Sequence, residues 1–356
     1  MEKSLKQFKL FGGRTIKTGI SVFLTALICS FFNLPVVFAV ITAVVTIEHT
    51  AFASIRKAAV RFPASALGAM IAVSMYSLFG KGALTFGLAA MLTIGLCHKL
   101  NLDDGIVVAT ITAIAMIPDF QGNELVSFVT RLGTTSIGIV VSTLVNFFLL
   151  PPNYTPMILQ NLHTMNATAS QLLRRIMMNI TGETKHRNSS IKRLHRQLTN
   201  RLERTDTLLR FQREEWKYHR HSRKDLKQLV YVKEHLSLMH QLVHHLGNMA
   251  FACETVPAFS ETEKELLTTL LPKLEKALTA EKHEITEDHF KMIDQLDRLF
   301  WKWREQHLEK NDGFRHHFAA EVVLVYELLS FHDVLEEMYQ LTTKHRDHII
   351  TYGDKN

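Results

Sequence analysis

The chain has 356 residues, a formal net charge of +7, 47% hydrophobic residues and 21% charged residues. These averages hide two different halves, because the first is strongly apolar with few charges and the second is rich in His, Lys, Arg and Glu. Three cysteines are too few for a disulfide-stapled scaffold, which excludes that class of secreted protein. The composition predicts a transmembrane domain in residues 1–152 and a second domain in residues 153–356.

Residues 1–13 combine three lysines with leucine and phenylalanine. They lack the small-residue cleavage site of a signal peptide. The pattern therefore predicts a short amphipathic helix on the inner face of the membrane.

Six apolar segments follow, separated by turns rich in Gly, Pro and Asn. An even number of spans returns the chain to the side on which it began. Lys and Arg concentrate before the first span, between the second and third, and after the fourth, so both termini are predicted to be cytoplasmic in a multi-pass protein of the cell membrane. The predicted spans are 16–33, 35–55, 62–80, 82–100, 105–121 and 127–150.

Residues 36–77 match a second copy of themselves about seventy positions further along, without gaps. In this match Arg61 falls on Arg131 and Gly68 falls on Gly138. Each copy carries three predicted spans, and an odd number forces the second copy to be inverted in the membrane. We therefore predict an all-α fold whose membrane domain is a 3+3 inverted repeat, a plan in which transporters bind substrate where the copies meet.

The second and fifth apolar cores, Val36–Ile47 and Ile106–Ile117, are short. About a dozen residues rise only ~18 Å as a helix, whereas the hydrocarbon core of a bilayer is ~30 Å thick. Glu48 and His49 follow the first core, and either is a candidate for proton coupling. Short segments at matching places in two repeats point to a transport site. The alternative is a pair of ordinary spans whose polar ends reach the headgroups.

Small and polar residues recur at helical spacing on the third and sixth spans. Such a face permits close helix contact, and an arginine at its end could make it the lining of an anion conduit. Arg61 is also explained as a positive-inside residue reaching the headgroups, but Arg131 lies on the predicted outer side, against that rule. The two faces are Arg61, Ser65, Gly68, Ala72 and Tyr76, and Arg131, Thr135, Gly138, Ser142 and Asn146.

Different roles are predicted for the members of these faces. Gly68 and Gly138 are predicted to serve helix packing. The predicted substrate-binding residues are Arg61 and Arg131 for anion attraction, and Ser65, Thr135, Ser142 and Asn146 for polar contacts.

These segments resemble the aromatic acid exporter family, whose distant relatives are the fusaric acid resistance transporters and the plant aluminium-activated malate transporters. The resemblance covers the membrane half and rests on Leu34–Ile47, on Arg61-x6-Gly68, and on the run from Arg131 to Pro152. It implies export of organic anions, especially aromatic carboxylates, with a helical cytoplasmic domain as in short Gram-positive members.

The resemblance also bears on assembly and packing. Larger relatives carry two membrane blocks in one chain, so the single block here implies at least a homodimer. Family members have Gly-Thr shortly after the third-span arginine, where this chain has Pro63-Ala64. This departure weakens the transfer of close helix packing from the family to the third span.

From Tyr154 onward, helical periodicity predicts an antiparallel cytoplasmic bundle. The basic stretch Lys185–Lys227 has three interpretations: contact with anionic lipids of the inner leaflet, contact with nucleic acid, or a solvated face. Nucleic acid is disfavoured because no nucleic-acid fold signature accompanies the stretch. The predicted helices are 155–180, 189–220, 223–253, 260–280, 286–310 and 314–346.

The predicted function is secondary transport of small organic anions without a cofactor. His240 and His244 lie one helical turn apart, but no HExxH motif or cysteine-spaced partner accompanies them, so no metal site is predicted. Neither a phosphate loop nor a nucleophile–base pair is present, which argues against an enzyme. A membrane potential supplies ~2.3 kcal/mol per charge per 100 mV. The alternatives are a passive anion channel, and a membrane-anchored sensor or scaffold that acts through its bundle.

Overall fold

The computed structural model describes residues 12–119, 124–149, 151–183, 188–217, 223–253, 259–279, 286–310 and 320–345. Those residues form twelve α-helices and contain no β-strand, so the all-helical prediction is confirmed. Two compact units are present: Met1–Asn153 with Phe211–Arg220, and Tyr154–Arg210 with His221–Asn356. The predicted amphipathic helix at the N-terminus lies outside the described residues, apart from its last two positions.

Six helices make up most of the first unit. They are α1 (Gly13–Phe31), α2 (Val36–Thr46), α3 (Ala51–Phe79), α4 (Ala83–Lys99), α5 (Ile106–Met116) and α6 (Glu124–Phe148). Among the described residues, α1, α3 and α6 are long and apolar enough to cross a membrane. At 11 residues each, α2 and α5 rise only ~17 Å, so the prediction of two short apolar cores is confirmed.

The boundary predicted between the second and third spans is wrong. The helix predicted over 35–55 ends at Thr46, and α3 begins at Ala51 instead of 62. Thr50 explains the early start, because its hydroxyl accepts a hydrogen bond from the backbone N–H of Ala53 and caps the helix. Pro63 lies inside α3 and does not begin it.

Helices α1 and α4 correspond to each other more closely than the sequence comparison suggested. Each is followed by an asparagine in the left-handed region, Asn33 with φ 52° and Asn101 with φ 57°. The next residue in each case donates its N–H to the carbonyl of a buried cysteine, Cys29 or Cys97, at 2.8 Å. Their buried faces match with an offset of 68 instead of 70: Lys17, Ser21, Thr25 and Cys29 against Thr85, Ala89, Thr93 and Cys97.

The described residues of the second unit form six helices around one hydrophobic core. They are α7 (Thr155–Thr181), α8 (Asn188–Glu215) as far as Arg210, α9 (Arg223–Ala252), α10 (Glu261–Thr279), α11 (Glu287–Lys310) and α12 (Ala320–Lys344). The predicted helix 189–220 was too long, since α8 ends at Glu215. Residues 314–319 of the last predicted helix lie outside the described residues.

Hydrogen bonds to two buried carboxylates link the helices of this unit. Arg174 of α7 donates from Nε to Oε1 of Glu275 on α10 at 2.6 Å. His245 and Asn248 of α9 both bond the carboxylate of Glu327 on α12, at 2.7 and 2.8 Å. Each pair satisfies a buried carboxylate, which would otherwise carry a large desolvation cost.

Two histidines meet in the interior of the second unit. His289 Nε2 lies 2.9 Å from His332 Nδ1, and the two residues are 1% and 3% exposed. Desolvation lowers the pKa of both imidazoles. For His289, repulsion from His332 is the next cause, and the pKa falls to about 4. Because the unfolded chain titrates near pH 6.5, it binds protons between pH 6.5 and 4 that the folded chain does not. The contribution of this histidine pair to the free energy of unfolding is therefore fully present above pH 6.5 and is lost as the pH falls towards 4.

We expect acidification from pH 7 to 4 to lower the free energy of unfolding by up to about 3 kcal/mol through His289. Unfolding of the detergent-solubilised protein, followed by circular dichroism at several pH values, measures the effect. His289→Gln should flatten the pH dependence in this window. His240→Gln is the control, since that histidine is half exposed and pairs with Asp206. Equal slopes for wild type and His289→Gln would contradict the assignment.

Candidate functional site

Two glycines allow the helices of the first unit to approach each other very closely. A Cβ on Gly68 would lie 2.3 Å from the carbonyl oxygen of Ala109, and a Cβ on Gly138 would lie 2.5 Å from that of Ala39. Gly68 and Gly138 are seventy positions apart, and so are Ala39 and Ala109. Each glycine contacts the alanine of the other copy, so the two contacts are exchanged between the copies. Close packing therefore extends to α3 although Pro63 interrupts the family pattern there, which corrects the expectation from the resemblance.

We expect Gly138→Ala to destabilise the protein by about 1–3 kcal/mol, the usual cost of overpacking a tight contact. The added methyl group would collide with backbone atoms of α2, which cannot move independently of their helix. Gly133→Ala on the same helix is the matched control, because a Cβ there meets nothing within 4 Å. Thermal unfolding in detergent should show a lower midpoint only for the first variant. Equal midpoints would refute the close contact.

Arg61 lies within a cluster of charges at one end of the helices. Its Nη2 donates to Oε1 of Glu48 at 2.6 Å, its Nη1 to the carbonyl of Thr46 at 3.3 Å and its Nε to the carbonyl of Asp104 at 3.2 Å. Lys57 forms two further ion pairs, with its Nζ 3.2 Å from Oε2 of Glu48 and 3.6 Å from Oδ1 of Asp104. The carbonyl end of α2 also favours a cation at this position. Ion pairs therefore occupy this end.

Arg131 lies beside a cavity at the other end of the helices. The residue is 6% exposed, and its guanidinium carbon lies 3.8 Å from the centroid of the Phe38 ring. The cavity has a volume of about 580 Å³, within the range of small-molecule sites. Its lining combines that ring and the guanidinium with apolar side chains and with the hydroxyls of Ser127, Thr130 and Thr134.

The first turn of α2 lines the same cavity. Pro35, Val36 and Val37 contribute to the wall, and Pro35, the N-cap, has no side-chain group that could cap the turn. The N-terminus of a helix carries partial positive charge and favours anions. Arg131 and this helix end therefore both place positive charge at the cavity wall.

The predicted substrate hydroxyls lie between the two ends. Ser65 Oγ is 3.1 Å from Thr112 Oγ1, and both residues are buried. Ser142 donates to the carbonyl of Ile139 in its own helix at 3.0 Å. Thr135 is buried, and its hydroxyl has no hydrogen-bond partner within the described part of the chain. None of these three predicted residues lines the Arg131 cavity.

Asn146 is engaged by the protein itself. Its amide nitrogen lies 2.7–3.2 Å from Ser54 Oγ and from the carbonyls of Glu48 and Thr50. Its Oδ1 accepts a hydrogen bond from Lys17 Nζ at 2.9 Å. Asn146 thus holds the non-helical segment that carries Glu48 in place.

The two candidates for proton coupling occupy different surroundings. Glu48 is the partner of Arg61 and is mostly buried, with 12% of its side chain exposed. His49 is exposed, and its ring stacks on Phe211 of the same unit with centroids 5.1 Å apart. Glu48 is therefore joined directly to a predicted anion-binding arginine.

Several residues at these two ends were not predicted from the sequence. Lys17 fits the positive-inside pattern of the N-terminal region, yet it is 5% exposed. A usable signal was present, because Lys17 begins a run of small or polar residues at steps of four along α1. Phe38 and Thr134 carry no comparable signal, since an apolar ring and a hydroxyl are common in spans.

His240 and His244 each lie within hydrogen-bond distance of another side chain. His240 Nε2 lies 2.7 Å from Asp206 Oδ2, and His244 Nε2 lies 3.2 Å from Asn248 Nδ2. Across the described residues, no group of three or more His, Cys, Asp or Glu side chains could hold a metal ion.

Comparison with known proteins places the chain in a family. The family model "Aromatic acid exporter family member 1" matches residues 9–149. A UPF0421 protein of Bacillus cereus strain ATCC 10987 is 41% identical, and the match covers 96% of each chain. Similar UPF0421 proteins occur in Halalkalibacterium halodurans, at 35% identity over 94% of this chain and 90% of the relative, and in Staphylococcus saprophyticus, at 32% over 90% and 96%. The chain therefore belongs to the family of the UPF0421 proteins, and its residues 9–149 belong to the aromatic acid exporter family.

Proposed function

We propose that the protein exports small organic anions, aromatic carboxylates in particular, across the cell membrane. The observation that carries the proposal is the cavity of about 580 Å³ beside Arg131. A guanidinium pairs well with a carboxylate, and Phe38 and the apolar wall suit an aromatic ring. Membership of the aromatic acid exporter family supports the same class of substrate.

The first unit is proposed to be a six-helix membrane domain with 3+3 inverted symmetry. The exchanged contacts support this symmetry, because a two-fold axis in the membrane plane would relate the contact of Gly68 with Ala109 to that of Gly138 with Ala39. The half-length helices α2 and α5 occupy matching positions in the two repeats. The distribution of Lys and Arg supports cytoplasmic termini, with the Arg61 end inward and the Arg131 end outward.

Transport is proposed to proceed by alternating access between these two ends. Ion pairs occupy the Arg61 end while the Arg131 end has a cavity, and the repeats would exchange these roles in the opposite state. Protonation of Glu48 removes its charge and releases Arg61. The carboxylate of the substrate then replaces the carboxylate of Glu48 as the partner of Arg61. This exchange would couple the anion to a proton.

The second unit is proposed to be a cytoplasmic domain, as the polar composition after Asn153 indicates. The basic α8 supports contact with anionic lipids of the inner leaflet. A single membrane block supports at least a homodimer. No contact with nucleic acid is proposed.

Flux into proteoliposomes tests the proposal. We expect benzoate and 4-hydroxybenzoate to be transported faster than acetate, and an imposed pH gradient to accelerate the flux. Liposomes without protein and liposomes with the Arg131→Gln variant are the controls. Channel-sized currents that ignore the pH gradient would contradict secondary transport. Absence of flux for every acid would contradict the function itself.

A further inference from the structure

A second pocket lies within the second unit, where α8 passes α9. Its volume is about 410 Å³, and its walls belong to that unit alone. One wall is a single face of α8 with Lys192, His195 and Arg196 at its cationic end. Thr199 and Asn200 continue this wall by one further turn. None of the described residues that line the pocket is acidic.

The opposite wall, on α9, combines two small residues with an exposed aromatic ring. It consists of Gly247, Ala250 and Phe251, and the phenylalanine is 79% exposed. An exposed aromatic ring beside cationic side chains offers a flat apolar surface and positive charge within one pocket. A ligand that uses both features has an anionic group and an aromatic ring.

The contact between the two walls depends on Gly247. A Cβ at this position would lie 2.8 Å from Nε2 of His195. The glycine therefore lets the imidazole lie against α9, where Nε2 is 3.3 Å from the carbonyl of Val243. A glycine inside a helix costs about 1 kcal/mol relative to alanine, and here the close approach of His195 explains its presence. His195 is thus fixed at the junction of the cationic and the aromatic wall.

We propose that this pocket is a second binding site for aromatic carboxylates, separate from the transport cavity. Lys192 and Arg196 bind the carboxylate, and the aromatic ring of the ligand packs on Phe251 and Ala250. Such a site lets the second unit respond to the concentration of the acid that the first unit carries. The identity of the ligand rests on the proposed function, whereas the existence of the site rests on the pocket alone.

Photoaffinity labelling of the full-length protein in detergent tests the proposal. The probe is 4-azidobenzoate, and labelled peptides are identified by mass spectrometry after digestion. We expect labels in the segments 192–200 and 247–251, and excess benzoate should compete for them. Lys192→Gln combined with Arg196→Gln should reduce labelling at least about tenfold, since two charge-assisted contacts are lost. Both residues are exposed, so folding should not change.

The controls separate this site from its alternatives. Arg193→Gln removes an exposed charge beside the pocket and should leave labelling unchanged. Arg131→Gln should also leave the labelling of this pocket unchanged, because Arg131 does not line it. A failure of the transport proposal can therefore be told apart from a failure of the binding-site proposal. Labelling that is as strong in the double variant as in Arg193→Gln would overturn the proposal. Equal competition by inorganic phosphate, or by vesicles of anionic lipid, would overturn it by pointing to a site for phosphate groups.

Discussion

Replacement of Arg131 by glutamine is expected to reduce the flux of aromatic carboxylates about a hundredfold. The reason is the loss of the cation that lines the cavity, since hydrogen bonds to a charged partner contribute up to ~3 kcal/mol, which corresponds to that factor. Initial rates of benzoate uptake into proteoliposomes measure the effect. Arg131→Lys retains the charge but cannot form two parallel hydrogen bonds, so its rate should lie between those of glutamine and wild type.

The matched control for Arg131 is Lys81→Gln. Lys81 is exposed, belongs to the same predicted side of the membrane and does not line the cavity. Its loss tests whether any positive charge on that side would have the same effect. Because Arg131 is buried, each variant must also be checked for a monodisperse profile and an unchanged thermal midpoint. Thr134→Val provides a milder change in the cavity wall and should lower the rate while the protein stays folded. Wild-type flux in a folded Arg131→Gln protein would refute the assignment.

Removal of the Glu48 carboxylate is expected to have a large effect on both stability and coupling. Glu48 and Arg61 have 12% and 7% of their side chains exposed and are joined at 2.6 Å. Breaking a buried pair by removing one partner costs about 3–5 kcal/mol. Glu48→Gln should therefore lower the thermal midpoint markedly. Glu48→Gln combined with Arg61→Gln should cost less than the sum of the single changes, by about 1 kcal/mol or more.

The coupling role of Glu48 has its own measurement. Flux through Glu48→Gln should no longer respond to an imposed pH gradient, because the proposed proton carrier is gone. His49→Gln should keep the response, since His49 is exposed and is stacked on Phe211. A pH response that survives in the first variant and disappears in the second would transfer the role to His49. Additive stability losses in the double variant would show that the ion pair does not couple the two residues.

Several features of the first unit could be predicted because they depend on local sequence. The ends of the apolar cores at positions 47 and 117 nearly coincide with the ends of α2 and α5, since apolar runs stop where ionisable or helix-breaking residues begin. The small-residue faces of the third and sixth spans predicted Gly68 and Gly138 as packing positions, and both approach a neighbouring backbone. These features require only helical periodicity and residue size.

Other features were not predicted, either because a competing local signal hid them or because they depend on distant partners. The early start of α3 depends on the cap at Thr50, which competes locally with the helix-breaking signal of Pro63. The burial of Lys17 depends on Asn146, which is 129 positions away in the chain. Composition alone assigns such a lysine to the membrane surface.

The sequence alone determined that the protein is helical, that its first part is apolar, and that a segment recurs after seventy positions with an arginine and a glycine at matching places. These properties follow from side-chain type and spacing. Only the tertiary structure decided that Arg61 pairs with Glu48 while Arg131 lines a cavity, although the sequence presents the two arginines as equivalents. The physical reason is that the surroundings of a buried charge are set by tertiary contacts. Arg131 lies against Phe38 of the other copy, whereas Arg61 bonds Glu48 in the non-helical segment before its own helix, and helical periodicity records neither contact.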